Sequence, residues 1–214
     1  MIDDIKQRFA EAGIELTEKQ LLQMDEMIIF LQEYCKKVNL TAIRDRDGII
    51  EKHLIDSVLP LTLMSVQQGA RCLDIGTGAG FPAVPMLIYR PDLRFTLLDA
   101  QQKRTLYLQQ LLERLELQAE IIHGRAEELS RKDGYKGSYD MVTARAVGNI
   151  PLLLGYACPF LGKDRRFMAM RGSAEEEQED IVKAMGKLKM VKVREVRYRL
   201  PCGDGRRIIV FGKE

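Results

Sequence analysis

The densest chemistry in the chain lies in nine consecutive residues, Asp74-Ile75-Gly76-Thr77-Gly78-Ala79-Gly80-Phe81-Pro82. Glycines such as Gly76 and Gly78 remove Cβ atoms, so the chain can turn tightly and bring backbone amides against a ligand. Nicotinamide, flavin and S-adenosylmethionine proteins all use such loops, so the glycines alone do not choose between them. Phe81 stands where a dinucleotide fingerprint places its third glycine, which argues against a pyrophosphate at this turn. Asp74 adds a carboxylate beside the loop. It would repel a pyrophosphate but suits the ammonium and sulfonium charges of S-adenosylmethionine, directly or through water. Asp99, 19 residues after Gly80, can accept from ribose hydroxyls, a feature that NAD proteins share. Together these residues point to S-adenosylmethionine as the cofactor.

Two further segments extend the site. In Gly124-Arg125-Ala126-Glu127-Glu128-Leu129 the Ala126 amide and the Glu127 carboxylate can read an adenine edge. Equally, Glu127 and Glu128 can simply favour the first turn of a helix through its dipole. In Thr143-Ala144-Arg145-Ala146-Val147 there is no Pro-Pro-aromatic motif to cradle an exocyclic amine. Nor does a cysteine follow a proline, as cytosine-C5 methylation would need, since Cys158 precedes Pro159. Arg145 remains, a fixed cation able to hold a phosphate, a guanine edge or the cofactor, or merely to form a surface ion pair. A ring nitrogen with its own lone pair needs no general base, only in-line placement. The missing machinery therefore agrees with guanine N7 as acceptor.

Elements of an α/β fold must position these residues. Cys72–Ile75, Phe95–Asp99, Glu120–His123, Asp140–Thr143 and Phe167–Met170 read as short apolar strands separated by helical patterns. The clearest of these patterns is Arg104–Leu115. Strands alternating with helices predict a mostly parallel sheet covered on both faces. Met190–Tyr198 and Ile208–Phe211, joined through the turn-rich Pro201-Cys202-Gly203-Asp204-Gly205, predict an antiparallel hairpin at one edge, giving about seven strands. Residues 1–65 read as a helical extension packed on the core, and 66–214 as the catalytic domain. In the extension, Thr17 and Gln20 have capping-box spacing, and Leu21, Met24, Ile28, Leu31, Cys35 and Val38 form one apolar helical face. A second helical stretch runs from about Asp47 to Met64, where Pro60 is expected to kink or end it.

Composition narrows the setting. The chain has 214 residues and a net charge of +2. Residues 1–33 hold eight acidic and three basic side chains, whereas residues 183–213 hold ten basic and two acidic ones. A basic end on a near-neutral chain can meet a polyanion, and Arg206 and Arg207 are candidates to do so, although a solvated charged face reads the same way. Four scattered cysteines and two histidines match neither a zinc site nor a disulfide framework, which predicts buried free thiols. With no apparent signal peptide or membrane span, a cytoplasmic protein without metal is expected.

Taken in order, Asn39-Leu40-Thr41-Ala42-Ile43, His53-Leu54-Ile55-Asp56-Ser57, the 74–82 loop, Thr96-Leu97-Leu98-Asp99 with Lys103-Arg104, Arg125-Ala126-Glu127 and Arg145-Ala146 closely resemble the bacterial RsmG (GidB) family. The resemblance runs from about Asn39 to the C-terminus and is looser over the first helices. Members of that family methylate guanine N7 in the decoding-centre loop of small-subunit (16S) ribosomal RNA. The resemblance implies a Rossmann-like S-adenosylmethionine-dependent fold, with ribosomal RNA or the small ribosomal subunit as partner. The competing readings are a methyltransferase for a small molecule or protein and an RNA-binding module without catalysis, and a monomer is expected. The resemblance further implies that Gly76, Gly78, Phe81, Asp99, Ala126, Glu127 and Arg145 line the cofactor pocket or its rim. Asn39, His53 and Asp56 would then lie near its entrance. Two positions depart from the pattern. Ala83 replaces a common glycine, and Arg171-Gly172 replaces Lys-Gly, keeping the positive charge of position 171 but changing its geometry.

Overall fold

The computed structural model describes residues 2–174 and 178–213. Seven strands form one sheet: β1 (Arg71–Ile75), β2 (Arg94–Asp99), β3 (Glu120–His123), β4 (Tyr139–Arg145), β5 (Leu161–Gly172), β6 (Met190–Arg199) and β7 (Gly205–Lys213). Their order is β3-β2-β1-β4-β5-β7-β6. The first five strands pair in parallel, while β7 inserts antiparallel between β5 and β6. The expected hairpin is present, with β6 as the edge strand. Because strand order reverses between β1 and β4, the carboxyl ends of these two strands diverge and leave a crevice there.

Alternation along the strands divides the core. Met141, Met168, Met170, Ile208 and Val210 face one apolar layer, whereas Val142, Phe167, Ala169, Ile209 and Phe211 face the other. A period of two with both faces apolar is what a sheet covered on both sides requires. The first layer contains α1 (Asp3–Glu11), α2 (Glu18–Tyr34), α4 (Asp56–Leu63), α5 (Ala83–Tyr89) and α6 (Gln102–Arg114). The second contains α7 (Ala126–Leu129), α8 (Ile150–Ala157) and α9 (Gln178–Leu188). Of the cysteines, Cys35, Cys72 and Cys158 are buried as expected, but Cys202 is exposed because it sits on the β6–β7 turn.

Helix α2 starts at the capping box read from the sequence. The Thr17 hydroxyl accepts from the Gln20 amide at 3.3 Å, and the Gln20 side chain accepts from the Thr17 amide at 2.9 Å. The same Gln20 donates from Nε2 to the Ile88 and Tyr89 carbonyls at 3.0 Å each, satisfying the last turn of α5. One side chain thus starts one helix and finishes another. Between the N-terminal helices, the Arg46 guanidinium bridges Asp4 and the buried Asp25, both at 2.6 Å.

The stretch around His53 is not a uniform helix. A short α3 (Arg46–Ile49) runs into a π-helical segment, Ile50–Ile55, and then into α4. Pro60 sits inside α4, which continues to Leu63, so the proline neither ends the helix nor marks its irregular turn. The wide turn is upstream, where π-segments commonly serve a site.

At the other end of β1, Asp74 pairs in register with Thr143 of β4 and is fully buried. Its Oδ1 accepts from the Thr143 hydroxyl at 2.8 Å, and the Thr77 hydroxyl and the Ala83 amide also donate toward the carboxylate. Burial pushes the Asp74 carboxyl up to about 7.

Two predictions follow from these contacts. Replacing Gln20 by Ala removes a cap and two carbonyl partners, and should lower stability by about 1–2 kcal/mol in urea denaturation. A wild-type midpoint would show that α2 and α5 do not depend on it. For Asp74, a raised folded pKa means a stability contribution that is fully present below about pH 4. It is lost as pH rises to about 7. The melting temperature of Asp74→Asn should therefore gain on wild type from pH 4.5 to 8. A constant difference across that range would show that Asp74 ionises at its ordinary pKa.

Candidate functional site

The glycine loop leaves β1 with Gly76, Gly78 and Gly80 at φ of +69°, +59° and +89°. That left-handed region is open to glycine and costly for residues with a Cβ. At Gly76 space matters as well: a Cβ would stand 2.6 Å from Val147 Cγ2. Val147 reaches it because β4 ends in a sharp turn, with Ala146 itself at φ +56°. The loops after β1 and β4 are thus packed directly on each other.

Asp99 ends β2 and is 2% exposed. Its carboxylate accepts from the Gly78 amide (2.9 Å), the Gln101 amide (2.9 Å) and Arg104 Nη1 (3.3 Å). A carboxylate has about four lone-pair directions. With three filled, Asp99 has room for one further hydrogen bond unless Arg104 yields, rather than for the pair of ribose hydroxyls expected of it.

These loops wall a cavity of about 450 Å³ together with Leu40, Thr41, His53, Phe81, Arg104 and Arg145. A second cavity, of about 550 Å³, lies alongside and is lined by Lys52, Asp56, Met170, Arg171 and Arg206. His53, Arg145 and Ala146 belong to both.

Arg145 is the centre of that shared wall. Its side chain is 13% exposed. Nη1 donates to the Lys52 carbonyl at 3.1 Å, within the π-segment, and to Asp56 Oδ2 at 3.2 Å. The guanidinium carbon stands 5.1 Å from the Phe81 ring centroid, a cation–π distance, and Phe81 in turn stacks on His53 at 4.5 Å. Burial pulls the guanidinium below its ordinary pKa, and Asp56 opposes the shift. Asp56 accepts the Tyr198 hydroxyl on Oδ1 at 2.8 Å and faces Arg206 Nε at 3.5 Å.

His53 is held on both ring nitrogens. Nε2 lies 2.8 Å from the Thr41 hydroxyl, and Nδ1 lies 3.1 Å from the Lys52 carbonyl and 3.2 Å from Arg145 Nη2. Either neutral tautomer is satisfied, because the Thr41 hydroxyl can donate or accept. Burial, with the Arg145 charge second, depresses the ring pKa to about 3. It is a neutral packing residue and a poor base.

Other residues singled out in the sequence are placed elsewhere. Asp74 is fully buried between Thr143 and the glycine loop and lines neither cavity. Asn39 is exposed and accepts from Arg44 at 3.3 Å; its neighbours Leu40 and Thr41 reach the cavity instead. Ala126 is buried against the second apolar layer, and Glu127 is exposed beside Tyr156, so neither lines the cavity. Arg207 is 2% exposed and donates to the Ala174 carbonyl. It cannot meet a polyanion on the surface, because alternation along β7 turns it away from the side that Arg206 faces. Arg171 lines the second cavity and donates to the Gly148 carbonyl at 2.8 Å. Sequence reasoning missed Lys52 and Tyr198. Lys52 adjoins a motif residue, a usable signal, whereas nothing local marks Tyr198.

The family described as rRNA small subunit methyltransferase G (GidB) matches residues 20–207. The ribosomal RNA small subunit methyltransferase G of Lactococcus lactis subsp. lactis is 37% identical over 215 residues, covering 99% of this chain and 90% of that protein. The protein of the same name from Acetivibrio thermocellus is 37% identical over 207 residues, covering 94% and 84%. Among solved structures, the tRNA methyltransferase TrmK of Bacillus subtilis aligns with a TM-score of 0.59 at 15% identity, over 77% of this chain and 66% of that one. Likeness at that identity speaks to the fold, a methyltransferase-type sheet. With a family model matching residues 20–207 and relatives 37% identical over nearly the whole chain, the chain belongs to the rRNA small subunit methyltransferase G family.

Proposed function

We propose that the protein transfers a methyl group from S-adenosylmethionine to N7 of a guanine in 16S ribosomal RNA, in the decoding-centre loop. It acts as a cytoplasmic monomer on the RNA or the small subunit. The observation that carries this reading is the wall holding Arg145, which separates a glycine-lined cavity from a cationic one and contains no group fit to take a proton. His53 is neutral with a conjugate acid near 3, and Asp56 is occupied by Arg145, Tyr198 and Arg206. An acceptor that brings its own lone pair fits such a wall. An amine or hydroxyl acceptor, which must lose a proton, fits it poorly.

The first cavity suits the cofactor. Gly76, Thr77 and Gly78 lie on its wall, and at Gly78 a side chain would meet nothing closer than the Gly76 carbonyl at 3.8 Å, which leaves space for a ligand. Gly76 to Gly78 would hold the amino-acid end, and Asp99 one ribose hydroxyl. When bound, S-adenosylmethionine supplies an electrophilic methyl group. The protein's part is placement: Phe81, His53 and Arg145 form a rigid stack that fixes the mouth of the cavity. The guanine must leave its stack to reach it. Arg145 would orient the base or the methyl-bearing end by a planar fork, its charge balanced by Asp56.

Arg145→Ala should lower the single-turnover methylation rate by at least about tenfold while cofactor binding persists, the scale of one lost charged hydrogen bond. Arg145→Lys should recover only part of the rate, because a point charge does not reproduce the fork. Wild-type rates in the Ala variant would remove Arg145 from the chemistry. Arg207→Ala should lower the melting temperature but leave the salt dependence of RNA binding unchanged, since the side chain is buried. A flatter salt slope would put Arg207 on a phosphate after all.

A further inference from the structure

The second cavity carries more charge than its apolar neighbours require. Among the described residues its lining holds four cations, Lys52, Arg145, Arg171 and Arg206, against one carboxylate, Asp56. Arg145 and Asp56 balance each other. Lys52 and Arg206 share a different partner, Asp204, which is not part of the lining. One oxygen of Asp204, Oδ2, lies 3.1 Å from Lys52 Nζ and 3.4 Å from Arg206 Nη2. An anion therefore already sits between two cations at the edge of the cavity, and it is a side chain.

That side chain is mounted on the tip of the β6–β7 hairpin. Residues 201–203 are exposed, and Gly203 adopts φ +88°. The turn is closed by the Gly203 amide on the Leu200 carbonyl at 2.8 Å and by the Leu200 amide on the Asp204 carbonyl at 3.0 Å. No apolar residue of this tip beyond Leu200 enters the core. The bridge to Lys52 is also half-exposed, with side chains at 38% and 40% of full accessibility. Exposed pairs of this kind are weak, so another anion can exchange for the carboxylate at little cost.

We infer that Lys52 and Arg206 form a phosphate-binding subsite for the RNA backbone beside the acceptor guanine, and that Asp204 fills this subsite in the free protein and is displaced on binding. The inference rests on the second cavity being the acceptor side. A backbone phosphodiester fits where the carboxylate sits because it too presents one full negative charge on two oxygens to the same two donors, and the other contacts of the RNA favour the exchange. Asp204 then sets a threshold: an anion that cannot outcompete it gains nothing from the two cations, which disfavours loose association with unrelated polyanions.

Equilibrium binding of small-subunit ribosomal RNA at fixed salt tests this in two arms. Lys52→Gln should weaken RNA binding several-fold. Asp204→Asn, with Asp204→Ala beside it to separate charge from turn geometry, should tighten RNA binding about two- to five-fold, the span of one weak exposed pair. Affinity for S-adenosylmethionine should not move in the Asp204 variants. If Lys52→Gln leaves RNA affinity unchanged, the Lys52–Arg206 subsite is overturned, while the acceptor reading fails separately if the wild-type protein transfers no methyl group to that RNA. If Lys52→Gln weakens binding but both Asp204 variants bind RNA as wild type or more weakly, the acceptor reading stands and displacement of Asp204 is overturned.

Discussion

A buried guanidinium cannot stand alone in a protein, and the arrangement around Arg145 follows from that constraint. Taking the charge out of water costs several kcal/mol unless it is neutralised and its donors are met. Asp56 supplies the opposite charge, the Lys52 carbonyl takes a second donor, and the Phe81 face lies beside the cation. Burial, with the Arg145 charge second, keeps His53 neutral. Asp56 in turn draws in Tyr198 and Arg206 from the last two strands. Three segments far apart in the chain are thus fixed relative to one another by one ion pair and the hydrogen bonds it organises.

Arg145 is also where the two sides of the proposed reaction meet, which explains the demand for rigidity. On the cofactor side the bed is made of backbone: Gly76 pressed against Val147, and Gly78 tied through its amide to Asp99. Backbone held by short turns moves little, so a ligand resting on it has a defined position. On the acceptor side the walls are long basic side chains, partly exposed and paired in several ways. That contrast suits a small cofactor that always binds alike and a large polyanion that must be gripped and released.

The N-terminal helices contribute through position. Gln20 joins α2 to the end of α5, the helix that opens from the glycine loop, and Arg46 bridges Asp4 and Asp25 just ahead of the π-segment. From there the wide turn carries Lys52 and His53 into the site, and α4 presents Asp56 one turn later. The basic C-terminal region is not one surface. Alternation along β7 buries Arg207 and turns Arg206 to the cavity, while the edge strand β6 keeps Lys192, Arg194, Arg197 and Arg199 exposed. Charged side chains on an edge strand also protect it from pairing with other sheets.

The sequence by itself determined the class of fold, because its signals are local. Apolar runs alternate with amphipathic ones, Thr17 and Gln20 are three residues apart, and the glycines follow a strand directly; each acts within a turn or two of its own position. It also placed Gly76, Gly78, Phe81, Asp99 and Arg145 together, since all of them sit at the carboxyl ends of parallel strands or in the loop leaving one, and topology brings such ends to one crevice. Only the tertiary structure decided which of these side chains face open space. Strand register set Asp74 beside Thr143, where it is buried, and alternation hid Arg207. Packing sent Ala126 and Glu127 away from the cavity that Leu40 and Thr41 line. It alone revealed that Asp99 is already committed to Gly78, Gln101 and Arg104, and that Tyr198 and Asp204 reach across the sheet to Asp56 and Lys52. The Tyr198–Asp56 contact alone spans 142 residues of chain, a separation at which no local pattern carries information and only the folded geometry does.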